Sequence, residues 1–245
     1  MKVLCREIVT GLRLYFRDRH ALIPTAGLPI LFLILFSYMH RGQSRGDVPF
    51  VDYVFVSVIG MSIGGTAFLN LSIALVEERD VGILKRLRGT PLRAWQFLGG
   101  KVLSSSLIIF MQVLLCFAVG AVFFELRIRG ALLPSLAILV IGILTFLNMG
   151  FCLAGLMKNS KAAEAWALAL FFPMLFLGGG FTQIESLPKS LQRVAQVLPL
   201  THFHNATIHV FVEGESLGTC ISDLLILLGW TGVCFAVAVI TLRWE

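Results

Sequence analysis

Six apolar stretches, each near the length needed to cross a bilayer, govern what this chain can become. A spanning helix needs about 20 apolar residues, because the hydrocarbon core is about 30 Å thick. The stretches cover residues 21–39, 53–76, 102–124, 131–157, 165–181 and 221–242. The fifth is the shortest. All are continuously apolar rather than alternating, which favours helices over a barrel. Of the 245 residues, 57% are hydrophobic and 14% charged, whereas a soluble domain carries about a quarter charged residues. Lipid must therefore be the solvent for most of the surface.

Positive charge in short loops stays on the cytoplasmic side. With the N-terminus inside, the inner loops and ends hold fourteen of the twenty lysines and arginines, and the outer loops six. That excess implies an even number of spans with both termini cytoplasmic. The net charge of +6 then belongs to an inner surface facing anionic lipid, and no nucleic-acid partner is needed to explain it. Five cysteines (Cys5, Cys116, Cys152, Cys220, Cys234) show no paired spacing. They read as small apolar packing residues, not as a disulfide framework or zinc site. Five basic residues precede the first apolar run and no small-residue cleavage site follows closely, so the N-terminus reads as uncleaved.

Two segments outside the spans carry a helical pattern. In residues 1–20, Leu4, Ile8, Leu12, Tyr15 and Phe16 share one side, and Lys2, Arg6, Arg13 and Arg17 another. That is the signature of a helix in the inner membrane interface. Residues 21–245 then form a single membrane domain. In residues 186–198, Leu187, Leu191, Val194 and Leu198 recur at helical spacing. Pro188 suits a helix start and Pro199 a stop. With Gly178, Gly179 and Gly180 just before, the chain is expected to dip back as a short outer amphipathic helix. His202 and His204 are assigned to an outer loop.

Several chemistries are missing. Gly100-Lys101 lacks the other residues of a phosphate loop, and no nucleophile elbow, H-E-x-x-H or dinucleotide fingerprint occurs. Glu77-Glu78 lacks the arginine and histidine that an intramembrane glutamate protease pattern requires. A charge at mid-bilayer costs about 2.5–3.5 kcal/mol on insertion scales; Asp52, Lys101, Glu164 and Asp223 all fall near span ends. A proton relay or charge-coupled pump is disfavoured. Ser57, Ser62, Thr66, Asn70, Ser72, Ser104, Ser105, Ser106 and Asn148 read as interhelical hydrogen-bonding groups. Gly60 and Gly64, at small-xxx-small spacing, mark span two as a close-packing face.

The informative segment is residues 77–92, cytoplasmic by the charge distribution. Glu77, Glu78 and Asp80 open it, and Lys85, Arg86 and Arg88 crowd its end, an order that complements a helix dipole. Gly89-Thr90-Pro91 is a plausible stop. Ile83, Leu84 and Leu87 form a small apolar ridge. Such a helix can dock into a cleft on another protein; the alternative is a positive-inside loop that only fixes topology.

The pattern Glu78, Gly82, Leu84-Lys85-Arg86-Leu87-Arg88, Thr90-Pro91-Leu92 resembles the hallmark of the ABC type-2 permease family, the membrane subunits of ATP-binding-cassette exporters. Pro173, the glycines at 178–180, Leu187-Pro188, Leu191-Gln192 and Leu198-Pro199-Leu200-Thr201 are similar to a second family stretch. The resemblance covers essentially the whole chain. It implies an all-α integral membrane fold: an N-terminal interfacial helix, six spans, a cytoplasmic coupling helix between spans two and three, and an outer re-entrant segment between spans five and six. It implies residence in the inner (plasma) membrane. It also implies a second permease protomer, identical or homologous, and two copies of an ATPase subunit that bind the ATP and magnesium; no cofactor is expected on this chain. Glu77, Glu78, Gly82, Ile83, Leu84, Arg86 and Leu87 would meet the ATPase. Ile83 stands where many members have Thr, which implies a more apolar contact. Spans two and five, with Gly60, Gly64, Asn70 and Pro173, would line the path or the protomer interface. Gly179, Leu187 and Leu191 would gate the exit. The cargo implied is amphipathic, drug-like or lipid-like. A secondary transporter or channel without an ATPase is the alternative.

Overall fold

The computed structural model describes residues 2–17, 23–45, 48–83, 94–180, 184 and 187–241. Helix α1 (Lys2–Arg17) is amphipathic and packs along α5 (Ala94–Phe124). The approach is close: a Cβ on Gly11 would sit 2.8 Å from Ser104 Oγ. Tyr15 is buried in this contact, whereas Leu14 and Phe16 are exposed.

The first apolar stretch is a five-residue π-helical turn (Ile23–Gly27) leading into α2 (Leu28–Met39), with Pro29 in the first turn, where its missing N–H costs nothing. A two-residue hairpin, β1 (Ser44–Arg45) with β2 (Val48–Pro49), returns the chain. Span two is one rod of 31 residues, Phe50–Asp80. It comprises α3 (Phe50–Ile63), a π-helical stretch (Gly64–Asn70) and α4 (Leu71–Asp80). The remaining helices are α6 (Leu132–Leu156), α7 (Ser160–Leu177), α8 (Lys189–Ala195), α9 (Pro199–Thr207, extended by a π turn Ile208–Val212) and α10 (Ile221–Thr241).

Among the described residues five helices are long and apolar enough to cross a membrane: the Phe50–Asp80 rod, α5, α6, α7 and α10. Thr25–Met39 is apolar but shorter. Five of the six expected stretches thus contain a helix of spanning length and composition; residues 21 and 22 of the first, 181 of the fifth and 242 of the sixth lie outside the described residues. The rod is the most buried span and α10 the least. It touches α2, α5, α6, α7 and α9, while α10 packs mainly on α6. Exposed leucines and aromatics on α5, α7 and α10 form the outer apolar surface that suits contact with lipid.

Several boundaries differ from the sequence expectation. Helix α7 begins five residues earlier than residue 165, because Asn159 caps it: its Oδ1 accepts from the Ala162 N–H at 2.8 Å. Pro199 does not simply stop the outer helix. It sits at the first turn of α9, so His202 and His204 are buried helical residues, not loop residues. The small polar residues of the spans mostly bond back along their own helix: Ser57 to Tyr53 O, Ser62 to Val58 O, Ser106 to Val102 O and Asn148 to Leu144 O. A hydroxyl can satisfy itself this way without a partner helix. Thr66 is different and reaches α5.

Candidate functional site

The last turn of α4 is where span two meets three other helices. Glu77 is exposed. Glu78, Arg79 and Asp80 each engage a different neighbour. Glu78 Oε1 pairs with Lys101 Nζ of α5 at 2.5 Å, with both side chains about four-fifths buried. Lys101 also lies over the Phe97 ring, 5.7 Å from its centroid. Arg79 donates from Nη1 to Ala154 O at 3.3 Å and from Nη2 to Met157 O. Those carbonyls end α6, so the guanidinium caps the negative end of that helix. Asp80 Oδ2 accepts from the Ser160 N–H at 2.7 Å, the positive end of α7.

These carboxylates were expected to open a coupling helix. Instead they close α4. The chain stops because Gly82 adopts φ +76°, a left-handed conformation natural to glycine at a helix end. Val81 and Gly82 donate to Glu77 O and Arg79 O. Acidic groups at a helix C-terminus are disfavoured by its dipole; Lys101 and the N-terminus of α7 offset this for Glu78 and Asp80. Ile83 is exposed and helical again. Leu84, Arg86 and Leu87, the rest of the expected coupling segment, lie outside the described residues.

The residues expected at the path or protomer interface divide. Gly60 and Gly64 face neighbours in the same chain: a Cβ would come within 3.2 Å of Leu200 Cδ1 and 2.3 Å of Phe171 Cε2 respectively. Asn70 is half-buried at the end of the π stretch. Pro173 is exposed inside α7, where it removes a hydrogen bond to the carbonyl four residues back. At the opposite end, α7 finishes with Gly178 N–H donating to Met174 O, followed by Gly179 at φ +82°. A Cβ on Gly179 would lie 3.2 Å from Ile184 and 3.5 Å from His204. Leu187 is half-buried and Leu191 exposed. His202 bridges the outer segment to the last span, with Nδ1 2.6 Å from Asp223 Oδ1 and Nε2 2.8 Å from Gln196 O.

Sequence reasoning missed Gln112. Its Nε2 donates to Tyr15 Oη at 2.8 Å and to Thr25 O at 3.3 Å, and its Oε1 accepts from Thr66 Oγ1 at 3.1 Å. Tyr15 Oη and Thr25 Oγ1 are also 2.8 Å apart. One buried amide thus joins α1, the first π turn and the π stretch of span two. The available signal was an amide in the middle of an apolar run.

The pattern of the family described as ABC-2 type transporter matches residues 4–212. Over 172 residues the chain is 25% identical to the "Probable multidrug ABC transporter permease YbhR" of Escherichia coli (strain K12), covering 69% of this chain and 47% of that protein. Over 205 residues it is 25% identical to YvfS of Bacillus subtilis (strain 168), named as a transport permease, covering 83% of each. Over 198 residues it is 23% identical to "ABC transporter G family member 20" of Dictyostelium discoideum, covering 79% of this chain and 27% of that protein. The chain spans about half the length of the Escherichia coli relative. With the family pattern matched over most of its residues, this predominantly helical, multi-pass membrane protein belongs to the ABC-2 type transporter family.

Proposed function

We propose that the chain is the permease subunit of an ATP-driven exporter, with Glu77, Glu78, Gly82, Ile83, Leu84, Arg86 and Leu87 meeting a separate ATPase subunit. The observation that carries this reading is the triple junction at Glu78, Arg79 and Asp80. A push on the segment beyond Gly82 is delivered at once to α5, α6 and α7, because each is tied to one of three consecutive residues. A loop that served only topology would not need such a root. ATP and magnesium are held by the ATPase, which acts in two copies on two permease protomers, identical or homologous. The chain itself performs no hydrolysis.

In the inner membrane, with both termini and the Glu78 end cytoplasmic, the exposed face of α7 around Pro173 lies against the second protomer and borders the path. Gly60, Gly64 and Asn70 act from behind it; Gly64 seats Phe171 of α7. Gly179, Leu187 and Leu191 form the outer gate. The cargo is amphipathic, drug-like or lipid-like; the name of YbhR includes a multidrug role, and the apolar faces of the spans fit such a molecule.

The test is affinity purification from the native host in mild detergent, with mass spectrometry of the co-purifying proteins. A stoichiometric ATP-binding subunit is expected, with Glu78→Lys and Gly82→Trp abolishing substrate-stimulated ATPase activity while insertion stays normal. A chain that reproducibly purifies alone would favour a stand-alone transporter.

A further inference from the structure

A cavity of about 400 Å³ opens at the end of the bundle opposite Glu78, between the end of α2, the start of α3 and the end of α5. Its lining holds two polar atoms that are buried and have no partner among the described residues: Asp52 Oδ2 and Ser37 Oγ. The residues are 2% and 4% exposed. The other Asp52 oxygen has only a long bond, accepting from the Arg127 N–H at 3.4 Å. An ionised carboxylate left buried with an unused oxygen is costly unless a donor reaches it.

The rest of the lining is unlike a gap between apolar spans. Arg41, Arg127 and Arg129 contribute cations, and Glu125 a second carboxylate. One wall is aromatic, with His40 stacked on Phe50 at 4.3 Å between centroids. Glu125, at φ +56°, is the one non-glycine left-handed residue among the described residues. It reverses the chain at the end of α5, so that Leu126 folds back on Gly120 and Arg127 reaches Asp52. Strain held at a cavity edge is a pointer to function.

These features require opposite things of one occupant. The floor needs an N–H donor, preferably charged, for Asp52 Oδ2. Arg41 and Arg127 offer the cavity guanidinium groups, which bind a phosphate or carboxylate well. We propose that the cavity binds a zwitterion carrying a primary ammonium and a phosphate: the ethanolamine-phosphate head of a phospholipid, or a free molecule of the same chemistry. The ammonium meets Asp52 beside the His40 and Phe50 rings, and the phosphate meets Arg41 and Arg127. A quaternary ammonium cannot satisfy Asp52, because it has no N–H. This site is independent of the coupling reading above.

The full chain would be placed in nanodiscs of phosphatidylcholine and phosphatidylethanolamine, and retained lipid identified by native mass spectrometry. In parallel, phosphoethanolamine, phosphocholine and inorganic phosphate would be titrated into delipidated protein by calorimetry. Phosphatidylethanolamine is expected to be retained at least about tenfold over phosphatidylcholine, since a site built for a donor rejects the analogue lacking it. Asp52→Asn should abolish that preference, whereas Arg127→Gln should weaken retention of both lipids together, because the phosphate is common to them. Tight binding of phosphoethanolamine without retained lipid supports the same site with a free zwitterion as its source. Equal behaviour of the ethanolamine and choline forms in both arms, a preference unchanged by Asp52→Asn, or retention unchanged by Arg127→Gln overturns the proposal and leaves a water-filled cavity. If Asp52→Asn fails to insert, Arg127→Gln decides the matter, because its side chain is exposed: it must weaken phosphoethanolamine and inorganic phosphate alike, and unchanged affinities overturn the proposal.

Discussion

Asp80 Oδ2 accepts a hydrogen bond from the Ser160 N–H at 2.7 Å, so the last residue of α4 caps the first turn of α7. Asn159 caps the same turn through Ala162, and two of the four free N–H groups of that helix end are thereby used. One cap is local and the other comes from a helix 80 residues earlier in sequence.

Asp80→Ala should therefore loosen the start of α7 without unfolding it. The cost of a lost cap is about 1 kcal/mol. Hydrogen exchange of a peptide covering residues 158–164 should quicken by about fivefold, and substrate-stimulated ATPase activity should fall. Quicker exchange with full stimulation would separate the cap from coupling.

At Gly82 the backbone, not space, sets the tolerance. Nothing lies within 4 Å of where a Cβ would be, but φ is +76°, which costs an ordinary residue about 1–2 kcal/mol. Asn visits this region more readily than Ala. The expected order of retained ATPase stimulation is Gly, Asn, Ala, with Trp close to Ala. A loss confined to Trp would mean that bulk against the partner subunit is the cause.

Gly64→Ala brings a methyl within 2.3 Å of Phe171 Cε2. Overpacking of this kind costs about 1–3 kcal/mol. The detergent melting temperature should drop, and Phe171→Leu added to it should recover most of the loss. A double-mutant cycle measures the coupling. Strictly additive losses would show that the helix shifts away from Phe171 rather than pressing on it.

Gln112→Leu removes three hydrogen bonds at once. Bonds of this type within a membrane average about 0.6 kcal/mol each. The amides of α1 should exchange faster while those of α5 stay protected. Tyr15→Phe should do less, because Gln112 keeps Thr25 O and Thr66. Unchanged protection of α1 in both variants would place its anchorage in apolar packing alone.

The long apolar runs made most spans legible, because the bilayer allows few alternatives to a helix there. The segment around Glu78 stood out by its charge order, yet its geometry did not. Whether acidic residues open one helix or close another depends on Gly82, and a glycine at that place reads either way. The pairing of Glu78, Arg79 and Asp80 with three helices is a long-range fact, invisible to periodicity. Gly60 and Gly64 were recognisable as close-packing positions, but their partners, Leu200 and Phe171, lie more than a hundred residues on. Pro199 was read as a stop although proline opens helices equally well, and that hid α9 and its buried histidines. The π stretches at 23–27 and 64–70 left no periodic mark, being only five and seven residues long.

The amide of Gln112 holds Tyr15 Oη and Thr25 O together, so α1 and the first apolar helix are fastened to the same point on α5. A displacement of either one is felt by the other. The two segments are therefore coupled as one lever rather than acting as two separate anchors.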